Sequence, residues 1–226
     1  MGRLDGKAAI ITGGGRGIGR AIADGYALEG ACVVVTAARE AAEIEAFAAG
    51  WGAARALAVV ADVTDPEACE RVAMNTVARF GRLDVLVNNA GRGMKYLSPQ
   101  FLTEPTRFWE ADPAIWRMVI DTNSNGPFFM ARAVVPHMIR QGAGAIINVS
   151  MNYETMKRRG FSPYGPSKAA LESETIICAP PLPALIDEAV IFSLMDAVWR
   201  HQRCDPENRI SPWHRKGMPV QFLHLP

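Results

Sequence analysis

Short apolar runs alternate with longer amphipathic stretches along the first 180 residues of the chain. Five runs rich in β-branched residues predict strands at 7–12, 32–37, 56–62, 83–91 and 144–150. Between them, the spacing of apolar residues predicts helices at about 17–29, 39–49, 66–80, 113–141 and 163–178. Unbroken apolar strands that alternate with helices are typical of a parallel sheet covered on both faces. With right-handed crossovers, the pattern predicts an α/β fold with a doubly wound, Rossmann-type parallel sheet.

The alternation ends near residue 179. Prolines become frequent beyond it, and only one glycine, Gly217, follows Gly165. We therefore expect a core over residues 1–179 and an atypical tail over 180–226, either part of the same domain or poorly ordered. The late strands of the sheet are expected to be missing or atypical.

Composition narrows the class of protein. The 226 residues are 49% hydrophobic and 21% charged with a net charge of +1, so neither nucleic acid nor an acidic membrane surface is indicated as a partner. No window approaches the ~20 apolar residues of a membrane span, and the N-terminus leaves no room for a signal peptide. Four scattered cysteines and four histidines without ligand spacing predict reduced thiols, a cytoplasmic location and no metal.

The first strand ends in TGGGRGIGRAIA (12–23), a glycine-rich turn directly before an amphipathic helix. Glycine at such a turn permits a tight bend, close approach of a pyrophosphate to the backbone and close packing of helix on strand. The start of the helix also directs free N–H groups and its positive dipole end at phosphates. We therefore predict a dinucleotide site that includes Gly13, Arg16, Gly17, Ile18 and Gly19.

The end of the second strand bears on the choice of cofactor. Sites for NAD usually carry an acid there to hold the ribose hydroxyls, whereas this strand runs into Ala37 and Ala38. Arg16 and Arg39 could pair with the 2′-phosphate of NADP, or they could be solvated loop residues. Glu40 beside Arg39 weakens the case for NADP. The residues favour NADP, with NAD as the alternative.

Tyr164 and Lys168 lie four positions apart at the start of the last predicted helix, in SPYGPSKAAL (162–171). Residues i and i+4 share one face of a helix, so a phenol would lie beside an ammonium. Taken alone, this spacing fits two ordinary surface residues as well as it fits a catalytic pair. The residues upstream decide between these interpretations.

Six motifs follow in a fixed order: TGGGRGIG (12–19), Asp62-Val63, NNAG (88–91), Asn123 in NSNG, Ser150 after strand five and YGPSK (164–168). Together they resemble the short-chain dehydrogenase/reductase family over residues 4–178. The resemblance implies an oxidoreductase that transfers a hydride between a nicotinamide cofactor and a ketone or secondary alcohol. It also implies a homo-oligomer, a dimer or tetramer paired through the helices at 113–141 and 163–178.

The resemblance implies roles for the residues that match. Asp62 would bind the adenine amino group, with Val63 packed nearby. Asn123 would hold a bend in the long helix and a water of a proton relay, or it would merely interrupt that helix. The cofactor groove would be lined by Asn89, Ala90 and Gly91, although NNAG could equally be a simple turn.

The same resemblance makes Tyr164 the general acid/base. A free phenol has a pKa near ~10, and the resemblance implies that Lys168 and the positive nicotinamide ring lower it. Lys168 would also hold the nicotinamide ribose. Ser150 would donate a hydrogen bond to the substrate oxygen. In the family's common N-x-S-S form the second serine is the working one, and Met151 stands there, so Asn152 is an alternative donor.

Two regions leave alternatives open. In the segment 92–116, five apolar or aromatic residues could wall an apolar substrate pocket: Met94, Tyr96, Phe101, Phe108 and Trp109. Alternatively, these residues pack beneath a long loop. The residues after 178 depart from the family pattern, which leaves a second hypothesis. On that hypothesis the chain is a truncated or variant member that binds nucleotide with little or no catalysis.

Overall fold

The computed structural model describes residues 2–178 and 188–193. Its sheet has six parallel strands in the order β3-β2-β1-β4-β5-β6. The strands are β1 (Ala8–Thr12), β2 (Cys32–Ala37), β3 (Ala56–Val60), β4 (Val85–Asn88), β5 (Ala143–Asn148) and β6 (Glu188–Ser193). The chain order reverses between β1 and β4, which opens a crevice at the carboxyl ends of these strands, where ligands of such sheets bind.

Helices connect the strands. They are α1 (Gly17–Leu28), α2 (Ala41–Trp51), α3 (Pro66–Phe80), α4 (Pro113–Ile120), α5 (Gly126–Gln141), α6 (Tyr153–Met156) and α7 (Tyr164–Cys178). A π-helical segment, Asp121–Asn125, joins α4 to α5. The predicted helix at 113–141 is therefore one long helix with a widened turn inside it.

Two apolar layers hold the sheet between the helices. Ile10 of β1 packs in a buried cluster with residues of α3 and α5, such as Val72 and Met130. Its neighbour Ile11 packs on the other face, with Ile44 and Phe47 of α2. Successive strand residues point to opposite faces, so a strand covered on both faces is apolar throughout. The predicted doubly wound α/β fold is confirmed.

Helix starts follow local capping chemistry. The carboxylate of Asp65 accepts a hydrogen bond from the backbone N–H of Glu67 before α3. Asp112 does the same for Ala114 before α4. In both helices proline occupies the first turn, where its missing N–H costs little. These caps explain why the predicted starts at 66 and 113 agree with the structure.

The sixth strand changes one expectation from the sequence. Glu188–Ser193 pairs in parallel with β5, in a register that places Ser193 opposite Asn148. The edge of β5 is paired here by a strand that contains the short apolar run AVIF, so the late part of the sheet, expected to be missing or atypical, contributes one parallel strand. The rest of the predicted tail, residues 180–187 and 194–226, lies outside the described residues, as does residue 179.

The described residues contain neither a membrane-spanning helix nor a cluster of metal ligands. Across 2–178 and 188–193, no helix is both long and apolar enough to cross a membrane. In the same part of the chain, no group of three or more His, Cys, Asp or Glu side chains could hold a metal ion.

Candidate active site

The glycine turn after β1 forms a closely packed cradle with the segment after β4. The side-chain amide of Asn89 donates to the carbonyl oxygens of Thr12 and Gly13 at 2.9 and 3.1 Å. Gly13 has a φ of 63°, a left-handed conformation that favours glycine. A side-chain carbon at Gly19 would collide with the amide of Asn89 and the carbonyl of Gly13. The positions of Gly13 and Gly19 therefore require glycine, and without side chains there the backbone of the turn can be approached by a phosphate.

A cleft of about 270 Å³ lies along this turn and the carboxyl ends of β2, β3 and β4. Eight of the predicted cofactor residues line it: Gly13, Arg16, Arg39, Asp62, Val63, Asn89, Ala90 and Gly91. The other five, which do not line it, are Gly17, Ile18, Gly19, Tyr164 and Lys168. Gly17 has a φ of 57° and supplies the bend into α1, while the side chain of Ile18 is 58% exposed.

One wall of the cleft follows β3. The Oδ1 atom of Asp62 accepts hydrogen bonds from the backbone N–H and the hydroxyl of Thr64, at 3.0 and 2.8 Å. These bonds fix the carboxylate at the rim of the cleft. Val63 beside it is buried and packs closely against Gly126, so the π-helical region lies next to this wall.

The charges at the end of β2 are unevenly paired. Arg16 forms ion pairs with Glu40 and Glu43, at 3.8 and 3.4 Å, although its side chain is 63% exposed. Arg39 makes no ion pair with any described residue. Of the two arginines predicted to meet a 2′-phosphate, only Arg39 is therefore free of a carboxylate.

Tyr164 and Lys168 lie one turn apart at the start of α7. The Lys168 ammonium is 6.0 Å from the centre of the Tyr164 ring and donates to the carbonyl oxygen of Val149 at 2.7 Å. Lys168 is only 5% exposed, a rare environment for lysine. Its hydrogen bond ties α7 to the residue directly before Ser150.

Burial shifts the pKa of both members of this pair. Burial raises the pKa of the Tyr164 phenol above its ordinary value. Burial also lowers the pKa of Lys168 to about 8, against the opposing charge of Glu172. Removal of the phenol from water is the cause of the rise in its pKa. The lowering of the phenol pKa expected from Lys168 together with the nicotinamide ring stays a prediction for the complex.

Ser150 follows the carboxyl end of β5 and is buried. Its hydroxyl oxygen has no hydrogen-bond partner among the described residues, the only such buried side-chain atom in that part of the chain. An unpartnered buried hydroxyl is costly, and such groups mark places where a ligand completes the bonding. The alternative donor, Asn152, uses its side-chain oxygen to accept from the N–H and hydroxyl of Thr155, both at 2.9 Å, at the start of α6.

Asn123 lies in the π-helical segment and is fully buried. Its amide nitrogen donates to the hydroxyl of Ser167 at 3.0 Å. That hydroxyl in turn donates to the backbone carbonyl of Tyr164 at 2.7 Å. The predicted bend thus coincides with the widened turn, and the side chain connects it to the helix that carries the Tyr-Lys pair.

The apolar and aromatic residues of the long loop before α4 do not all behave alike, and neither a pocket wall nor packing beneath the loop describes every one of them. Met94 is buried, and Phe101 packs edge-on against Phe161 with ring centres 5.7 Å apart. Phe108 and Trp109 are 71% and 67% exposed and contact each other. These two residues therefore neither wall an enclosed pocket nor pack beneath the loop.

Sequence reasoning missed several residues that line the cleft. They include Gly15, Thr36, Glu43, Arg92 and Thr122. Tyr96, which was expected only as a possible wall of a substrate pocket, also lines it. Arg92 had the clearest signal, because it follows the NNAG motif directly. A strongly charged residue next to a cofactor motif is an informative departure from the apolar surroundings.

Comparison with known proteins follows the same residues. The family model for short chain dehydrogenase matches residues 7–179. An uncharacterized oxidoreductase of Mycobacterium tuberculosis (strain CDC 1551 / Oshkosh) is 35% identical over 98% of this chain and 84% of its own length. The 11-beta-hydroxysteroid dehydrogenase 1A of Arabidopsis thaliana is 37% identical over 75% of this chain. The match spans 46% of that relative, so the chain corresponds to about half of it.

A solved structure agrees with these matches. The crystal structure of a short-chain dehydrogenase from Streptomyces avermitilis superposes with a TM-score of 0.71 and 33% sequence identity. The match covers 85% of this chain and 65% of that one. The resemblance found in the sequence is confirmed: the chain belongs to the short-chain dehydrogenase family.

Proposed function

We propose that the chain is an oxidoreductase that uses a nicotinamide dinucleotide to interconvert a ketone and a secondary alcohol. One observation carries the proposal: the buried hydroxyl of Ser150 has no partner among the described residues. Ser150 directly follows Val149, whose carbonyl binds Lys168, and Lys168 lies one helical turn from Tyr164. A phenol, an ammonium and a free hydroxyl supply the acid, the charge and the oxygen-binding donor that carbonyl reduction requires.

The proposed cofactor fits the residues of the cleft. The glycine turn admits no side chains at Gly13 or Gly19 and leaves backbone N–H groups of α1 for a diphosphate. When bound, a nicotinamide dinucleotide supplies or accepts the hydride. Asn89, Ala90 and Gly91 line the cleft at the end of β4, and Asp62 lines it at the β3 wall, where it would bind the adenine.

The residues of the protein bind the carbonyl oxygen of the substrate and supply the proton that it takes up. In the direction of reduction, Ser150 donates a hydrogen bond to the carbonyl oxygen, and the Tyr164 hydroxyl gives it a proton. The raised pKa of Tyr164 keeps the phenol protonated at neutral pH, which is the form that reduction needs. Lys168 holds positive charge beside the phenolate that remains, and Asn123 keeps the start of α7 in position through Ser167.

NADP remains the favoured cofactor in this proposal. Arg39 is unpaired by any described carboxylate and lies where the adenosine ribose is expected. Arg16 favours NADP less than its sequence position suggests, because a 2′-phosphate would have to displace Glu40 and Glu43 from it.

We further propose a homo-oligomer, since exposed apolar residues lie on α5 and α7, among them Phe128, Ile176 and Ile177. A stable monomer in sedimentation velocity would contradict it.

Turnover by the wild-type chain tests the proposal. Purified protein is mixed with NADPH or NADH and a panel of ketones, and the near-ultraviolet absorbance of the reduced ring is followed. We expect oxidation of the cofactor that depends on both protein and ketone, and faster with NADPH. Tight nucleotide binding without turnover on any ketone would instead support a variant that binds nucleotide but does not catalyse.

A further inference from the structure

Arg92 is a half-buried arginine in the wall of the nucleotide cleft. Its backbone is held at both polar atoms by the side chain of Asn123. The Arg92 N–H donates to the Asn123 oxygen at 2.7 Å, and the Arg92 carbonyl accepts from the Asn123 nitrogen at 3.0 Å. The position of this residue is therefore fixed by the same asparagine that reaches α7.

The Arg92 side chain is also oriented. Its Nε atom donates to the hydroxyl of Thr122 at 3.2 Å. Its guanidinium carbon lies 5.1 Å from the centre of the Tyr96 ring, a cation–π contact. Thr122 and Tyr96 both line the cleft with it. These contacts occupy one edge and one face of the guanidinium and leave its two terminal nitrogens for another partner.

The charge of Arg92 has no counter-charge among the described residues. Arg16 in the same cleft is paired with two carboxylates, whereas Arg92 forms no ion pair with residues 2–178. Partial burial of an unpaired cation is unfavourable unless an anion joins it. A planar guanidinium with two free donors is suited to two oxygens of a phosphate.

The order of strands indicates which phosphate is within reach. Arg39 follows β2 and Arg92 follows β4, on opposite sides of β1. The glycine turn follows β1 and lies between them. A side-chain carbon at Gly13 would stand 3.1 Å from the Cα of Ala90, two residues before Arg92. Arg92 is therefore next to the turn that receives the diphosphate and separated from the 2′-phosphate end.

We propose that Arg92, held by Asn123, Thr122 and Tyr96, is a binding residue for the diphosphate bridge of the dinucleotide. The inference rests on the proposed function, because it assumes that a dinucleotide occupies the cleft. On this proposal, the residue after the NNAG motif supplies the positive charge that binds the diphosphate. Arg16 does not supply it, because Glu40 and Glu43 pair with it.

The test measures ligand affinity by isothermal titration calorimetry on the full chain. The ligands are NADP, ADP and adenosine 2′-monophosphate, which has no diphosphate. Arg92→Met should weaken NADP and ADP by about 10-fold or more and leave adenosine 2′-monophosphate within about twofold. Arg140→Met removes an exposed arginine from the end of α5, at the amino ends of the strands and away from the cleft at their carboxyl ends, and it should change none of the three affinities.

Each outcome decides the question. An Arg92→Met chain that binds NADP and ADP like wild type overturns the inference, and so does an equal loss for adenosine 2′-monophosphate. If that variant does not fold by circular dichroism, Arg92→Lys replaces it; the single ammonium should still weaken ADP several-fold, and unchanged binding overturns the inference. A wild-type chain that binds neither NADP nor ADP overturns the proposed function as well, which separates the two failures.

Discussion

The hydroxyl of Ser150 offers a test at the scale of one residue. Because this buried group has no partner among residues 2–178 and 188–193, Ser150→Ala should not lower the melting temperature. The same change should lower kcat/KM by about 100-fold, since a donor to the reacting oxygen is lost. Kinetics and thermal unfolding of the same preparation check both parts.

Ser167 is the matched control for that substitution. Its buried hydroxyl accepts from Asn123 and donates to the carbonyl of Tyr164. Ser167→Ala should therefore lower the melting temperature, because it removes two buried hydrogen bonds. A Ser150→Ala chain that is destabilised as much as Ser167→Ala, with full activity, would mean that Ser150 has a structural role.

The ionisation of Lys168 predicts a pH dependence. Its pKa is lowered to about 8 by burial, so the ammonium is present below that pH and is lost as the pH rises through it. Ketone reduction should therefore be level around pH 7 and decline above about pH 8. Tyr164 stays protonated through this range, because burial raises its pKa. A pH–rate profile of kcat/KM checks this, and a level profile up to pH 10 contradicts it.

The positions of side chains were predictable where helical spacing fixes them, and less so where charged side chains pair. The spacing predicted that Tyr164 and Lys168 lie one turn apart at the start of a helix, as they do in α7. The engagement of Arg16 by Glu43 could not be foreseen, because it depends on how α2 returns over the glycine turn. Nor could the raised pKa of Tyr164, since burial is a property of the folded chain.

Substitution by alanine at two of the three glycines of helix α1 should have opposite effects on stability. Gly19 faces Asn89 and the glycine turn with no room for a side chain, whereas a side chain at Gly25 would meet nothing within 4 Å. Gly19→Ala should lower both the melting temperature and the affinity for NADP. Gly25→Ala should raise the stability by about 0.5–1 kcal/mol, because alanine has the higher helix propensity.

Thermal unfolding and calorimetric titration of the two variants check this pair. Equal effects of Gly19→Ala and Gly25→Ala would contradict the packing described for the turn. Helical propensity alone favours alanine at both positions, so a difference in sign isolates the contact with Asn89.

Elements were predictable where one period of hydrophobicity runs uninterrupted. The runs of β1 and β2 are apolar except at Thr12 and Thr36 because both faces are covered, and their predicted bounds agree within a residue. The short helix α6 was missed, since four residues are too few to show a period. The only signal was Asn152, whose side chain caps it. The strand β6 lies in a region without the alternation that marks the rest.

Asp84 joins several elements and sets a pH dependence for the whole molecule. At the amino ends of the strands, its carboxylate accepts hydrogen bonds from the backbone N–H of Ala8 and from the side chains of Arg82 and Gln141. It also forms an ion pair with the ammonium of Lys7. Burial opposes ionisation, but the hydrogen bonds from Arg82 and Ala8 outweigh it and lower the pKa. A lowered carboxyl pKa stabilises the fold above the unfolded value near ~3.9, and this stability is lost as the pH falls through the folded value.

Asp84→Asn should accordingly reduce the free energy of unfolding at pH 7 by about 1–3 kcal/mol. The difference from wild type should shrink as the pH falls below 4, where the wild-type carboxylate also takes up its proton. Urea unfolding at pH 7 and pH 3 measures it. Glu45→Gln on exposed α2 is the control, with no expected change. A difference independent of pH would show that packing, and not charge, is what Asp84 provides.

The central claim, that Tyr164 is the proton donor to a ketone beside the bound nucleotide, is tested most directly by Tyr164→Phe. Turnover with NADPH and the best ketone is measured together with the affinity for NADP. We predict a fall in kcat of at least about 100-fold, with the affinity for NADP changed by less than about threefold, because only the hydroxyl is removed. Turnover that survives in Tyr164→Phe at the wild-type rate would contradict the account.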